Sequence, residues 1–206
     1  MSAASKSLVR YIAMSFLMML ADVSLADTVI VISAGGKSFS AKVEDSETGR
    51  AFVAKLPLTL SMTELNGNEK YCYGVSLPTA SRYYSTIEAG DLMLYGSNCV
   101  VLFYGAAGGY SYTRIGRLTS TAGLASALGT GSASVTFDKA RLEANIKIDG
   151  DIPSVTAVTN LPEGTCITTL AAKSLSAAES EWKDYDSLDV EEKSEFRFFK
   201  LKADVE

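Results

Sequence analysis

The chain has 206 residues, of which 47% are hydrophobic, and its formal net charge is −5. This length allows one large domain or a domain with an extension, and the hydrophobic content argues against global disorder. The negative charge argues against a nucleic-acid partner, because binding to phosphates requires a basic surface. Histidine is absent, which removes the commonest general base and the commonest zinc ligand, so we expect no metal site and no cofactor.

The N-terminus has the pattern of a secretory signal. Lys6 and Arg10 form a basic segment, Tyr11–Leu20 is an apolar stretch of about ten residues, and small residues lead up to Ala26. The apolar stretch is too short to span a bilayer in the usual way. We therefore predict cleavage after Ala26, export to the periplasm or the exterior, and no stable membrane span afterwards. An uncleaved membrane anchor is the alternative.

The exported chain keeps three cysteines, Cys72, Cys99 and Cys166. An odd number allows at most one internal disulfide. Cys99 lies inside an apolar run and is predicted to be a small buried core residue. Cys72 with Cys166 is the one pair to test for a disulfide, and three unpaired thiols are the alternative.

Short strands and turns follow the signal. Thr28–Ser33 and Ser38–Val43 are predicted to form a hairpin. A short helix is predicted over Glu47–Leu56, capped by Asp45 or Ser46 and ended by the following proline. The next predictions are a strand at Leu58–Met62, a brief edge strand at Glu69–Tyr73, and a long loop over Gly74–Glu88.

Three strands joined by two turns are predicted between Gly90 and Leu118. Asp91–Tyr95 alternates between apolar and polar residues, as a half-buried strand does. Cys99–Tyr104 is a continuous apolar run, which predicts a strand buried on both faces. Tyr110–Ile115 alternates again, so that every second side chain falls on the same face.

A short helix at Ser120–Leu128 and a strand at Ser132–Phe137 complete the pattern. Antiparallel strands with one or two short helices favour a mainly β protein. We predict a small closed antiparallel β-barrel, because closure removes the edge strands that invite aggregation.

Four motifs of the predicted barrel point to a known family. They are Leu56–Leu60, Leu65–Lys70, Gly90–Gly96 and Tyr110–Gly116, and they fall within Thr28–Phe137. In order and spacing they resemble the motifs of the bacterial cyclophilin-like domain family, the compact and often secreted relatives of the cyclophilin barrel. The resemblance implies a cyclophilin-like barrel. It implies no reaction, because that family is largely without an assigned activity.

Cyclophilins proper isomerise X–Pro bonds with an arginine held over a groove lined by Phe, Met, Gln and His. This chain has no histidine and no segment that matches those motifs. No catalytic residue is therefore carried over from the resemblance. Arg50, in the first predicted helix, stays a ligand-binding candidate without a matching motif.

Residues 139–206 lie outside the resemblance and are predicted to form a small C-terminal β/α appendage. Residues 177–206 hold ten acidic and five basic residues, which is typical of a solvated face, with an acidic recognition segment as the alternative. Aromatic residues near the end, such as Phe196 and Phe199, argue against free disorder and predict that this segment packs on another surface. Short strands are expected at Asn145–Ile148, Val155–Thr159 and Thr165–Leu170, and a helix anchored by Trp182 at Ser176–Tyr185. The predicted division is a signal peptide at residues 1–26, a barrel domain at 27–138 and an extension at 139–206.

The candidate binding surface is the strand face that carries Tyr110, Tyr112 and Arg114, with Tyr104 and Arg82 expected nearby. Tyrosine beside arginine can stack, donate hydrogen bonds and hold a cation–π contact, which suits a peptide or a small ligand. Packing of these side chains on the outside of the barrel is the alternative.

The remaining acidic residues of the barrel suggest no paired acid and base. Glu64, Glu69 and Glu88 are scattered in sequence and are interpreted as solvated surface carboxylates. We expect a non-catalytic module that binds a peptide or small ligand. A weak prolyl isomerase and an interaction module that acts through the acidic C-terminal segment are the alternatives.

Overall fold

The computed structural model describes residues 28–149, 152–174, 176–193, 196 and 198–204. These residues form two units: the first comprises residues 28–141 with Asn160–Thr165, and the second comprises the other described residues. The predicted signal segment, residues 1–26, lies outside the described residues. Within them, no helix has both the length and the apolar character that crossing a membrane would require.

The first unit is a closed antiparallel barrel of eight strands with a short ninth strand beside it. The strands are β1 (Val29–Ala34), β2 (Lys37–Val43), β3 (Leu58–Leu65), β4 (Glu69–Tyr73), β5 (Arg82–Tyr84), β6 (Asp91–Tyr95), β7 (Cys99–Phe103), β8 (Tyr110–Leu118) and β9 (Ala133–Lys139). Hydrogen bonds join the barrel strands in the order β2-β1-β9-β3-β4-β7-β6-β8, and β8 pairs with β2 to close the ring. The short strand β5 pairs along β8. The mainly β barrel predicted from the sequence is confirmed.

Two short helices belong to the barrel unit, α1 (Glu47–Val53) and α2 (Leu124–Leu128). Ser46 is the residue that caps α1, because its hydroxyl accepts a hydrogen bond from the Gly49 amide at 3.0 Å. Helix α1 ends before the predicted Leu56, since the residue preceding a proline is disfavoured in helical conformation. Helix α2 begins later than the predicted Ser120, because Gly123 adopts a left-handed conformation with a φ of 79°.

Alternating side chains fill the barrel interior. Phe39, Ala41 and Val43 of β2 point inward, as their spacing predicts. Phe52 of α1 packs edge-to-face on Phe137 of β9, with ring centroids 5.4 Å apart. The helix therefore contributes an aromatic side chain to the same core that the strands build.

Two predictions about the middle of the barrel were wrong in detail. Strand β4 is not an edge strand, because it lies between β3 and β7 and pairs with both. The predicted loop Gly74–Glu88 contains β5, which exists because it finds a partner in β8. The β4–β7 and β5–β8 pairings are not visible in a local pattern, since each joins segments that are distant in sequence.

The second unit is also rich in strands. The helix predicted at Ser176–Tyr185 was wrong: this segment holds a 3₁₀ turn, Glu179–Glu181, followed by a strand that pairs with β12. Trp182 anchors no helix, and the Lys200 ammonium lies 4.4 Å from the centroid of its ring. The elements of this unit are β10 (Leu142–Asp149), β11 (Ile152–Thr159), β12 (Cys166–Ala172), β13 (Lys183–Asp184), α3 (Val190–Lys193) and β14 (Phe198–Asp204).

The aromatic residues near the C-terminus contribute to this second unit. Phe196 and Phe199 are buried together with Tyr185 and Leu188 in its own hydrophobic cluster. Tyr185 and Phe199 pack edge-to-face with centroids 5.1 Å apart. These residues therefore stabilise the unit in which they lie.

Candidate functional site

A cavity of about 460 Å³ opens on the outer face of the barrel, where β4, β7, β6 and β8 lie side by side. We call it the outer-face cavity. Its strand residues occupy alternate positions, because the pleat directs every second side chain away from the barrel interior. On β4, for example, Glu69, Tyr71 and Tyr73 line the cavity, whereas Lys70 and Cys72 face inward.

The floor of the cavity is apolar and buried. It consists of Cys99, Val101 and Phe103 of β7 with Tyr112 of β8. The rings of Phe103 and Tyr112 pack edge-to-face with centroids 5.6 Å apart, which fixes the orientation of Tyr112. Burial raises the pKa of the Cys99 thiol to about 11, so at neutral pH this thiol is protonated and not a nucleophile.

The rim of the cavity is formed by exposed aromatic residues. Tyr73, Tyr95 and Tyr110 are each about half exposed or more, and all three line the opening. Tyr73 packs edge-to-face on Tyr71, and Tyr95 packs on Tyr112 of the floor. Exposed aromatic rings gathered around one concavity are typical of an interaction site rather than of ordinary protein surface.

One wall of the cavity depends on a close backbone approach. Ala107 and Gly108 line it, and Ala107 forms an isolated β-bridge with Ile87. A Cβ atom on Gly108 would lie 2.2 Å from the carbonyl oxygen of Ser85, so only glycine fits at this position. The loop between β7 and β8 is thereby held against the edge of the cavity.

Among the described residues that line the cavity, Glu69 is the only charged one. It is 7% exposed, and it faces Phe103 across the β4–β7 pair. Among the described residues, nothing donates a hydrogen bond to its carboxylate or forms an ion pair with it. Burial raises its pKa above the ordinary glutamate value, and the nearby charge of Glu64 adds to this effect. The interpretation of Glu69 as a solvated surface carboxylate was wrong.

Tyr104 does not line the cavity and belongs to a polar cluster next to the barrel core. Its hydroxyl donates a hydrogen bond to Glu64 Oε1 at 2.6 Å. Lys70, which is fully buried, donates to Glu64 Oε2 and to the carbonyl oxygens of Gly129 and Gly131. Burial and the hydrogen bond to Glu64 together raise the pKa of Tyr104 to about 12. Burial acts to raise the pKa of Glu64, but its hydrogen bonds from Lys70 and Tyr104 hold it below the ordinary value.

The candidate arginines lie outside the cavity lining. Arg114 is 3.4 Å from Asp91 and 3.9 Å from Glu44, and its guanidinium stacks 5.0 Å from the centroid of the Tyr84 ring. Arg82 stacks on the same ring and donates a hydrogen bond to its hydroxyl at 2.6 Å.

Arg50 is part of an exposed ion pair on α1, at 2.5 Å from Asp45. Of the six residues proposed from the sequence, the structure therefore places Tyr110 and Tyr112 in the outer-face cavity. The other four, Tyr104, Arg114, Arg82 and Arg50, do not line it.

Sequence reasoning missed the contribution of β4 and β6 to this site. The available signal was the alternation of Glu69, Tyr71 and Tyr73, which places one acid and two aromatic rings on a single strand face. That face belongs to the cavity because β4 lies next to β7, and local alternation does not reveal this neighbour.

The described residues contain no group of three or more Cys, Asp or Glu side chains placed to hold a metal ion. Cys72, Cys99 and Cys166 are all unpaired in the structure. The chemistry that the described lining offers is therefore that of aromatic rings, tyrosine hydroxyls, two asparagine amides and one carboxylate.

The model of the cyclophilin-like family matches residues 32–138, slightly more than half of the chain. The matched region contains β4, β6, β7 and β8, the four strands that carry the cavity. No match is found among the curated proteins or the solved structures.

Proposed function

The chain belongs to the cyclophilin-like family, and on this premise we propose that it is a non-catalytic module that binds a peptide or small ligand in the outer-face cavity. The observation that carries this proposal is the clustering of exposed Tyr73, Tyr95 and Tyr110 around a buried apolar floor. A rim of this kind exposes apolar surface to water, which is unfavourable. A ligand that covers the rim removes this surface from water, so covering it contributes favourably to the free energy of binding.

The size of the cavity suits a small molecule or a few side chains of a peptide. Its volume of about 460 Å³ lies within the range of roughly 300–1,000 Å³ that is common for ligand pockets. Tyrosine rings supply stacking area at a low cost in side-chain entropy, and their hydroxyls can donate or accept hydrogen bonds.

The composition of the lining supports binding without catalysis. A cyclophilin-type isomerase, the alternative, holds an arginine over its groove, and no arginine of the described part of the chain lines this cavity. The Cys99 thiol is protonated at neutral pH and offers no nucleophile.

Tyr110→Ala is expected to weaken binding of the neutral fluorophore N-phenyl-1-naphthylamine at least about fivefold, because it removes roughly 1 kcal/mol of ring contact at the rim. Tyr83→Ala is the matched control: Tyr83 is 66% exposed against 60% for Tyr110, lies on the adjacent strand β5, and does not line the cavity. Fluorescence titration of the wild type and both variants measures the three affinities.

Equal affinities for the two variants, or no binding by the wild type, would contradict the proposed site. An X–Pro isomerisation assay on the wild type adds an independent check. A rate enhancement that is lost on Arg114→Ala or Arg50→Ala would contradict a non-catalytic role.

We also propose that the protein is exported to the periplasm or the exterior, which rests on the basic, apolar and small-residue pattern of residues 1–26. Expression with the native N-terminus in a bacterial host, followed by N-terminal sequencing of the exported fraction, is expected to give Asp27 as the first residue. Recovery of only the uncleaved chain in the membrane fraction would support the membrane anchor instead.

A further inference from the structure

The outer-face cavity has a pronounced charge asymmetry: the described residues that line it include one carboxylate, that of Glu69, and no basic side chain. We propose that the cavity selects an organic cation, an alkylammonium group whose charge is neutralised by Glu69 and whose carbon atoms pack against the tyrosine rim. This inference rests on the binding function proposed above and names the class of ligand.

Glu69 lacks a counter-charge although it is largely buried. The neighbouring residue, Lys70, cannot supply one, because its side chain enters the barrel interior and its ammonium binds Glu64 together with two backbone carbonyls. Burying an unpaired carboxylate is costly for a folded protein. A cation that enters from solvent pairs with the carboxylate and reduces this cost. The binding of a cation therefore gains a favourable electrostatic contribution that the binding of a neutral ligand lacks.

The aromatic rim is suited to the same ligand. The faces of tyrosine rings attract ammonium groups within about 6 Å of the ring centroid, and the attraction grows when water is excluded. Tyr71 and Tyr73 are on the strand that carries Glu69, and Tyr95 and Tyr110 line the same opening from β6 and β8. Carboxylate and ring faces can therefore act on one ligand together.

A second polar group in the lining also lacks a partner. Asn68 donates from its side-chain amide to the carbonyl oxygen of Ala106, but its Oδ1 atom is buried and accepts no hydrogen bond within the described part of the chain. Like the carboxylate oxygens of Glu69, this atom is an acceptor, so both groups favour a ligand that donates hydrogen bonds or carries positive charge.

The titratable groups that face Glu69 leave the site negative at neutral pH. Glu64 of β3 is ionised, since its pKa is lowered overall. The pKa values of Cys99 on β7 and Tyr112 on β8 are both raised, first by burial, so these two groups stay neutral. Lys70, whose charge is of the opposite sign, is held by Glu64 on the inner side of the sheet.

The test compares choline with 3,3-dimethyl-1-butanol, which has the same shape without the charge. The wild type is expected to bind choline at least about 30-fold more tightly, which is about 2 kcal/mol at 1.4 kcal/mol per tenfold change. Glu69→Gln is expected to remove this preference by weakening the binding of choline. Glu47→Gln, which removes the same charge at an exposed position on α1, is the matched control and should bind choline as the wild type does.

Two further measurements complete the test. Nα-acetyl-lysine methylamide and its norleucine counterpart show, by comparison with choline, whether a lysine side chain or a free quaternary ammonium compound is the better source of the cation. Acidification should weaken choline binding by the wild type and not binding of the alcohol, because protonation neutralises Glu69, and this loss should begin at a higher pH than for an ordinary glutamate. The pH series needs no variant and so is independent of whether Glu69→Gln folds.

Equal binding of choline and the alcohol by the wild type, or full choline affinity in a folded Glu69→Gln variant, would overturn cation selection. In either case, binding of N-phenyl-1-naphthylamine that depends on Tyr110 would leave the binding function standing. Loss of that dependence would overturn the binding function itself, so the two failures can be told apart.

Discussion

Lys70→Met is expected to lower the free energy of unfolding by about 3 kcal/mol, the low end of the range for breaking a buried ion pair. Lys70 is fully buried, and its ammonium binds Glu64 and the carbonyl oxygens of Gly129 and Gly131. Methionine fills a similar volume but donates no hydrogen bond, so all three acceptors lose their partner. The Glu64 side chain is 22% exposed, so in the Lys70→Met variant its carboxylate regains some hydration. We therefore expect a loss of stability at the low end of the range for a broken buried ion pair.

Urea unfolding of the variant and the wild type measures this difference, with Lys55→Met as the control. Lys55 is exposed just after α1, so its replacement should change the free energy of unfolding little. Glu64→Gln combined with Lys70→Met should cost less than the two separate changes together, because the variants remove the same ion pair. A change below 1 kcal/mol for Lys70→Met would show that the polar cluster does not stabilise the barrel.

Asp91→Ala is expected to lower the free energy of unfolding by about 2–3 kcal/mol, because it leaves a charged group and a backbone donor without their acceptor. Asp91 is 1% exposed, and its Oδ2 atom accepts hydrogen bonds from the Glu88 amide at 3.0 Å and from Arg114 at 3.4 Å. Its Oδ1 atom is 3.8 Å from Arg117 Nε. One carboxylate thus holds two arginines of β8 and the turn before β6.

Asp45→Ala is the matched control for this prediction. It also removes an aspartate that is paired with an arginine, but Asp45 is 93% exposed, and exposed ion pairs contribute little to stability. Thermal or urea unfolding compares the two variants. Equal stability of Asp91→Ala and Asp45→Ala would mean that Arg114 does not depend on Asp91. A folded Asp91→Ala protein should bind N-phenyl-1-naphthylamine as the wild type does, since neither Asp91 nor Arg114 lines the cavity.

Arg114 illustrates that alternation along a strand identifies which residues share a face but not what each side chain does there. Alternation along β8 places Tyr110 and Tyr112 on one face, and in the structure both line the outer-face cavity. The same alternation places Arg114 with them, yet its guanidinium is held by acids and by the Tyr84 ring. Those partners come from other segments, and no spacing within β8 reveals them.

The C-terminal unit shows where local propensity is overridden. Ser176–Tyr185 has residues that suit a helix, but Lys183 and Asp184 pair with β12 instead. Such a pairing depends on a strand that is available at that position in the unit, and the segment's own sequence does not contain this information.

The amino-acid sequence by itself determined the strands of the barrel, the β1–β2 hairpin and the shared face of Tyr110 and Tyr112, because alternation and turn chemistry are local properties. Only the tertiary structure decided which of the other strands are neighbours. Pairing β4 with β7 brings Glu69 opposite Phe103 and gathers tyrosines from three strands around one carboxylate. Pairing depends on hydrogen bonds between segments far apart in the chain, which is why the cavity and its charge were visible only in the folded protein.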